Sequence, residues 1–386
     1  AAPLGCAGIV DGGAAGPMGD GTFGPDDPDV VPDDRPPTPP GIDPVELPEA
    51  RAWRLTPTQY VNSFTHAFGA SSLTADVFPP DGEREGFKNS SDQLVVSEEV
   101  ARLYHDNAVA MAAALAPKLK DEFGCFSSTA ADDACVTTIV SEYATKAFRR
   151  PATPDEVTRL VAVFRAVEAD FDTLEAAKAL LETIAQSPSF LYRSELGDDR
   201  EGEDTRLTGH EIASQLAYLL TDAPPDEELL AAAAADELHN KAVVREHAER
   251  LLATPAAREK FGTFIAEYVQ IASLASGSLD KNGEYSLSPD LQKDLLRETM
   301  EFARTVVFDE DDSLANLFSA PFSMMNAAVA EHYGVDESLG SDFERVELTD
   351  GIRGGLMTQP SVMAAWGKAS DTDPLHRGLF VYNRIL

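Results

Sequence analysis

The chain has 386 residues, 43% of them hydrophobic, and its 66 acidic residues against 31 basic residues give a formal net charge of -35. This length accommodates two or three ordinary domains, and this apolar content is enough to form buried cores. A chain with this large negative charge repels phosphate backbones and anionic lipid surfaces. We therefore expect no nucleic-acid partner. No apolar run approaches the ~18 residues of a membrane-spanning helix.

Residues 1–50 have the composition of a tether. They contain 11 Pro, 9 Gly and 10 acidic residues against 1 basic residue, and their few apolar side chains predict a disordered segment. Cys6 follows Leu4 and Gly5 in the pattern that ends a bacterial lipoprotein signal, although Pro3 departs from that pattern. We expect a lipid anchor on Cys6, with the tether holding the globular part off a membrane. The alternative is an unmodified cysteine in the linker of a secreted protein.

Helix-start signals recur beyond residue 50. Thr56, Thr153 and Thr208 each stand three positions before Glu or Gln, which is the capping-box spacing. Proline after Thr254 and after Ser288 indicates two further starts.

Apolar periodicity then predicts the helices themselves. One long amphipathic helix is expected over residues 287–308, with Arg304 among the charged residues away from its apolar stripe. Shorter stripes cover 100–119, 136–148, 157–171 and 212–220. Strand-like alternation is nearly absent, so any sheet should be minor. The predicted fold is mainly α: two or three packed helical bundles after the disordered N-terminal tether.

Turn-rich joints divide the rest of the chain into segments. We predict a first helical module over 51–120, a second over 121–197 and a third over 206–334. Residues 351–386 form the beginning of a further module.

Cys125 and Cys135 flank a polar loop. A bridge across so short a loop would stabilise the fold by roughly 2–3 kcal/mol, and it would favour an oxidising compartment. Two free thiols are the alternative. A metal pair is disfavoured, because no histidine or third cysteine stands at ligand spacing.

The sequence carries no recognisable catalytic motif: nucleophile elbow, phosphate-binding loop, dinucleotide fingerprint and zinc motif are all missing. Whether the protein is an enzyme is left open, and no metal site is predicted. His239 and His247 are interpreted as surface residues that lack a third ligand. Residues 309–312 are interpreted as a solvated acidic turn without the spacing of a calcium loop.

The phrase at residues 78–90, FPPDGEREGFKNS, has two interpretations. Its carboxylate and amide oxygens around two glycines are compatible with a cation-binding loop. Alternatively, Arg84 pairs with neighbouring carboxylates while Phe78 and Phe87 fix the loop onto helices. We favour this structural interpretation, because an arginine inside the acidic set competes with a metal.

The phrase at 78–90 and several shorter motifs resemble one bacterial family. The shorter motifs are 54–60 (RLTPTQY), 147–151 (AFRRP), 187–193 (SPSFLYR), 207–211 (LTGHE), 225–230 (PDEELL), 353–359 (RGGLMTQ) and 376–378 (HRG). In this order they resemble large secreted proteins of planctomycetes and myxobacteria, in which several domains of unknown function precede a c-type cytochrome-like module.

The resemblance places any haem c outside this chain, since the family's Cys-x-x-Cys-His motif lies beyond these segments. Residues 378–386 open an apolar helix that nothing closes, and the first residue is not Met, so we expect a piece of a longer protein. If a cytochrome module packs on this end, Met357, Met363 and His376 are candidate axial ligands. Ordinary packing is the alternative for all three.

The resemblance implies a secreted, lipid-anchored helical scaffold of a Gram-negative bacterium, located in the periplasm or at the outer membrane or cell surface. Its expected role is electron transfer through the haem module to a redox partner protein. One alternative is a cell-surface binding or adhesion protein. Another is the helical part that holds a substrate for a haem-dependent oxidoreductase.

Overall fold

A computed structural model describes residues 51–69, 71–127, 131–197, 206–310, 313–335, 338–349 and 351–386. Helices predominate among these residues, and the few strands are short, which confirms the mainly α prediction. The predicted tether, with Cys6, lies outside the described residues. In the described part of the chain, no helix combines the length and the apolar character needed to cross a bilayer.

The helices are numbered in chain order, and short 3₁₀ turns lie between some of them. Their bounds are α1 Pro57–Phe68, α2 Glu98–Leu115, α3 Leu119–Glu122, α4 Asp133–Phe148, α5 Pro154–Asp170, α6 Thr173–Ala185, α7 Pro188–Leu191, α8 Gly209–Thr221, α9 Glu227–Ala234, α10 Lys241–Leu252, α11 Pro255–Tyr268, α12 Pro289–Arg304, α13 Ala327–Tyr333, α14 Pro360–Ala365 and α15 Pro374–Arg384.

The predicted helix starts are confirmed. Thr56, Thr153 and Thr208 each form a complete capping box with the residue three positions later. Thr254 and Ser288 cap α11 and α12, each followed by proline at the first helical position. These side chains satisfy amides that have no partner within the first helical turn.

Two antiparallel pairs of strands complete the fold. The first pair joins β1 (Arg51–Arg54) to β2 (Tyr192–Glu195), with Arg51 opposite Glu195 and Trp53 opposite Arg193. The second joins β3 (Phe322–Met325) to β4 (Glu344–Glu347). Because β1 precedes α1 and β2 follows α7, the first pair ties together the two ends of residues 51–195.

The buried apolar residues form three clusters. The first extends from Leu55 to Phe190 with Tyr218 added, so the segments predicted as the first and second modules share one core. A small alanine-rich cluster belongs to α8–α10. The third surrounds α11, α12 and β3 and reaches Phe380 near the C-terminus.

The helix predicted over 287–308 is present as α12, continued by a π-helical turn at Thr305–Asp309. The prediction was wrong for Arg304, whose side chain is buried instead of facing solvent. Its guanidinium donates to the Arg258 carbonyl (3.0 Å) and to the Glu259 carboxylate (2.7 Å). Gly262 of α11 makes room for it, since a Cβ there would lie 2.6 Å from Arg304 Nε.

Cys125 and Cys135 are joined by a disulfide, as the sequence predicts, with their Cα atoms 5.6 Å apart. The bridge attaches the loop after α3 to the first turn of α4.

Candidate functional site

Three sequence motifs that lie far apart in the chain line one cleft of about 670 Å³, which we call the arginine cleft. Its walls are the end of α4, the segment from α7 through β2, and the start of α8. Its lining includes Arg149, Arg150, Arg193, His210, Glu211 and Ser214. The three arginines have different surroundings.

Arg149 ends α4 in the left-handed conformation, with φ of 59°. Its guanidinium donates to the carbonyls of Ala147, Phe190, Ser189 and Tyr192 at 2.7–3.1 Å. These carbonyls lie at or near the ends of α4 and α7, where no helical amide reaches them. Arg149 is therefore fully engaged in holding α7 and β2 against α4.

Arg150 forms a two-pronged ion pair with Glu156, both N···O distances being 2.8 Å. Glu156 also closes the capping box of α5 by accepting from Thr153. The Arg150 guanidinium and these hydrogen bonds lower the pKa of Glu156 to about 2. The pair is neutral as a unit at ordinary pH.

Arg193 is 7% exposed, and no described residue accepts a hydrogen bond from it. Its guanidinium lies over the rings of Trp53 (4.2 Å) and Tyr218 (5.7 Å), and its Nε is buried without a partner. Burial lowers its pKa, but an arginine side chain stays charged near neutral pH. Aromatic rings and the nearby carboxylates of Glu195 and Asp222 favour its charge, but no hydrogen-bond acceptor contacts it.

Two nearby carboxylates make contacts of their own. One oxygen of Glu195 accepts from Arg51 at 2.9 Å, whereas its other oxygen is buried without a donor. Arg51 also lies over the Trp53 ring, 4.1 Å from its centre. Glu211 accepts from the backbone amides of Leu196 (2.8 Å) and Thr208 (2.9 Å), which links the end of β2 to the start of α8. Burial lowers the pKa of His210, and the charge of Arg150 adds to that effect, so His210 is neutral at pH 7.

A second cleft of about 460 Å³ lies between the 78–90 phrase and α11, α12 and the start of α1. At its edge Lys260 pairs with Asp222 (2.9 Å), whose carboxylate also accepts from Gln59. Burial raises the pKa of Glu267 in the same cleft. The charges of this cleft are thus largely paired.

The contacts of the phrase itself agree with its structural interpretation. Phe78 is buried in the first core, and Phe87 stacks on Phe264 of α11 with ring centres 5.9 Å apart. Asp81 pairs with buried Arg54, and Arg84 pairs with Asp92 at 3.4 Å.

No group of three or more histidine, cysteine or acidic residues able to hold a metal occurs in the described ranges. The other candidate ligands are engaged in protein contacts. His239 Nε2 lies 2.9 Å from the Leu207 carbonyl oxygen in a hydrogen bond, and its Nδ1 lies 2.9 Å from the Asp236 carboxylate. His247 is buried beside Arg250, not on the surface as predicted. Asp309 forms a two-pronged pair with Arg258. Positions 311 and 312 lie outside the described residues.

The candidate haem ligands do not form a shared pocket. Met357 packs against the third core, and Met363 Sδ accepts from Arg377 at 2.9 Å. His376 Nδ1 is bonded to Asp373 Oδ2 at 2.7 Å. A cavity of about 200 Å³ beside α14 is lined by Met363 alone of the three. Cys125 and Cys135 are bonded to each other.

A fully buried polar cluster surrounds Glu298, and the sequence patterns did not predict it. Glu298 Oε1 accepts from Ser323 (2.5 Å) and Tyr333 (2.5 Å), while its Oε2 and the Gln359 side-chain oxygen have no donor. Burial raises the pKa of Glu298 to about 7. A signal was available: Glu298 stands three positions after Leu295 and four before Phe302, on the apolar stripe of α12.

Arg193 was also not predicted as a functional candidate, although it ends the motif at 187–193. The signal in the sequence was an arginine directly after an apolar run. The sequence did not reveal the strand that lies opposite it.

Three family models match the chain. They are PSD3, protein of unknown function (DUF1587), over residues 53–117; PSD5, protein of unknown function (DUF1595), over 135–195; and PSD4, protein of unknown function (DUF1592), over 207–335. No curated protein and no solved structure matches. The arginine cleft lies where the PSD5 segment meets the PSD4 segment. The chain thus contains, in this order, a PSD3, a PSD5 and a PSD4 domain, each of unknown function.

Proposed function

We propose that this chain is the extracytoplasmic helical scaffold of a cytochrome-associated protein and serves electron transfer through a c-type haem module outside the chain. The observation that carries the proposal is the order of its PSD3, PSD5 and PSD4 domains, because domains of this series typically accompany cytochrome c-like modules. The Cys125–Cys135 disulfide supports an oxidising compartment.

The proposal is tested on the natural full-length protein, produced in a host that matures c-type cytochromes. We expect a haem Soret band in that protein and none in the 386-residue chain. The band should shift on reduction and return on oxidation by a redox partner. A colourless full-length protein overturns the electron-transfer role.

We further propose that Cys6 carries the lipid anchor and holds the protein at the periplasmic face of a membrane or at the outer membrane. A single acyl chain binds membranes only marginally, so stable anchoring requires more than one. Expressed with its natural signal, the protein should partition with membranes, and Cys6→Ser should release it. If that variant still partitions with membranes, the lipid anchor is contradicted. The haem proposal is unaffected by that result.

The arginine cleft favours a second candidate, in which the helical domains hold a substrate for oxidation at the haem. A recessed cleft with a few convergent polar groups is the usual form of a small-molecule site. Substrate-dependent reduction of the haem in the full-length protein distinguishes this enzyme from a carrier that only relays electrons.

A further inference from the structure

The guanidinium of Arg193 lacks the hydrogen-bond acceptors that a buried charged group normally has. A charged group removed from water is stabilised by hydrogen-bond acceptors or an opposite charge. Arg193 contacts aromatic rings, and the nearby Glu195 and Asp222 favour its charge without accepting a hydrogen bond from it. The guanidinium is therefore left without a hydrogen-bond acceptor among the described residues.

The open edge of that guanidinium faces the arginine cleft. Arg193 lines the cleft, whereas its Nε is sealed from solvent, so a ligand reaches it at the two Nη groups. Two parallel N–H groups of an arginine match the two oxygens of a carboxylate or the edge of a phosphate. The hydroxyl of Ser214, on the α8 wall of the same cleft, supplies a further hydrogen-bonding group.

The charge of the cleft selects among such anions. Arg150 is neutralised by Glu156, and the other charged residues of the lining are Arg149, Arg193 and Glu211. Their charges sum to one positive charge. A monoanion matches one charge, whereas a dianion brings an uncompensated negative charge near Glu211 and Glu156.

The residues of the other walls indicate the chemistry of the rest of the ligand. Phe148, Pro188, Tyr192 and Leu196 present apolar surface to the cleft. The volume of about 670 Å³ is within the range of small-molecule sites.

We propose that the arginine cleft binds an organic monocarboxylate, with its carboxylate on the Nη groups of Arg193 and an apolar body against Phe148, Pro188, Tyr192 and Leu196. The proposal does not require a haem module or a membrane anchor.

Trp53 provides the measurement, because it lies directly on the Arg193 guanidinium and the only other tryptophan is Trp366. In the full 386-residue chain carrying Trp366→Phe, Trp53 emission is titrated at constant ionic strength with hexanoate, acetate and inorganic phosphate. We expect a saturable change with hexanoate, with a dissociation constant on the order of 1 mM. Acetate and phosphate should bind at least tenfold more weakly.

Two variants and a matched control assign the site. Arg193→Met should abolish the hexanoate response, and Arg193→Lys, which keeps the charge but loses the fork, should weaken binding about tenfold. Arg159→Met removes one positive charge from an exposed position outside the cleft and should leave binding unchanged. Far-ultraviolet dichroism checks the fold of each variant, and the parent chain and Arg193→Lys give the result if Arg193→Met does not fold.

Three results would overturn the proposal. They are no saturable response to hexanoate in the parent chain, tighter binding of phosphate than of hexanoate, and equal affinities in the parent and Arg193→Lys. Equal affinities for acetate and hexanoate would contradict the proposed contact between the apolar walls and the body of the ligand.

Discussion

At the scale of single residues, the same side-chain type performs separate tasks according to its surroundings. Arg149 satisfies four backbone carbonyls, Arg150 neutralises Glu156, and Arg193 keeps an unpaired edge toward the cleft. The third alone makes no hydrogen bond to a described residue and so has the most hydrogen-bonding capacity left over for a ligand. An arginine motif in a sequence therefore does not identify a binding residue until the partners of each guanidinium are known.

Gly355 lies in one of the sequence motifs, and it is required only because another backbone segment packs directly against it. It has a positive φ of 66°, and an added Cβ would lie 2.2 Å from the carbonyl carbon of Phe318. We expect Gly355→Ala to lower the free energy of unfolding by roughly 3 kcal/mol or more, because strain and overlap act together. Chemical denaturation measures the change.

The control is Gly334→Ala, since Gly334 also has a positive φ, 69°, but no atom lies within 4 Å of the position that an added methyl group would take. That change should cost only about 1 kcal/mol. Equal costs at the two glycines would show that close approach to Phe318 is not what fixes Gly355.

Glu298 predicts a pH dependence of stability. Its pKa rises from 4.5 in the unfolded chain to about 7 in the fold. Between these values the folded state keeps a proton that the unfolded state releases, so the stability contributed by this group is present below pH 4.5 and falls as the pH rises through 7. Glu298→Gln, which resembles the protonated acid, should lack this decline. At pH 8 it should be more stable than the parent by roughly 1–3 kcal/mol.

Glu331→Gln makes the same substitution at an exposed position of α13 and should leave the pH profile unchanged. The measurement is urea denaturation at several pH values from 4 to 8, followed for parent and both variants. A parent profile that rises over this range, or a Glu298→Gln profile parallel to the parent, would contradict the assigned cause.

At the scale of elements, the sequence predicts what is determined locally. Helix starts at Thr56, Thr153 and Thr208 follow from residues three positions apart, and all three are confirmed. The pairing of β1 with β2 could not be predicted, because strand partners 144 residues apart leave no local pattern. The arginine cleft was hidden for the same reason, since Trp53 meets Arg193 only across that pair. Arg304 was placed wrongly because its burial depends on Gly262 of another helix.

Arg149 joins elements that the sequence keeps apart, and its removal should be costly. Arg149→Met leaves the carbonyls of α4, α7 and the start of β2 without donors, so we expect a loss of roughly 3–5 kcal/mol in the free energy of unfolding. Arg159→Met, an exposed arginine on the neighbouring α5, should change stability by less than about 0.5 kcal/mol. Denaturation curves for the pair test this, and similar losses in both variants would contradict the bridging role.

At the scale of the whole molecule, one covalent cross-link reinforces a body otherwise held by packing. The disulfide closes a loop with a sequence separation of 10 residues. Replacing both cysteines, Cys125→Ala with Cys135→Ala, should lower the free energy of unfolding by about 2–3 kcal/mol. A reductant should produce the same loss in the parent chain and no further loss in the double variant. Parent protein that keeps its stability after complete reduction would contradict this prediction.

The separation of Arg51 from Glu195 along the chain also affects the order in which parts of the protein fold. The N-terminus emerges first, from the ribosome and into an extracytoplasmic compartment alike, so β1 waits for the strand that pairs with it 144 residues later. During that interval α1, α2 and α4–α6 are already available to collapse, while the backbone groups of residues 51–54 stay unpaired. A chain interrupted before residue 193 contains most residues of the first core but lacks Arg193, so the ligand cleft is among the last features of residues 51–195 to be assembled.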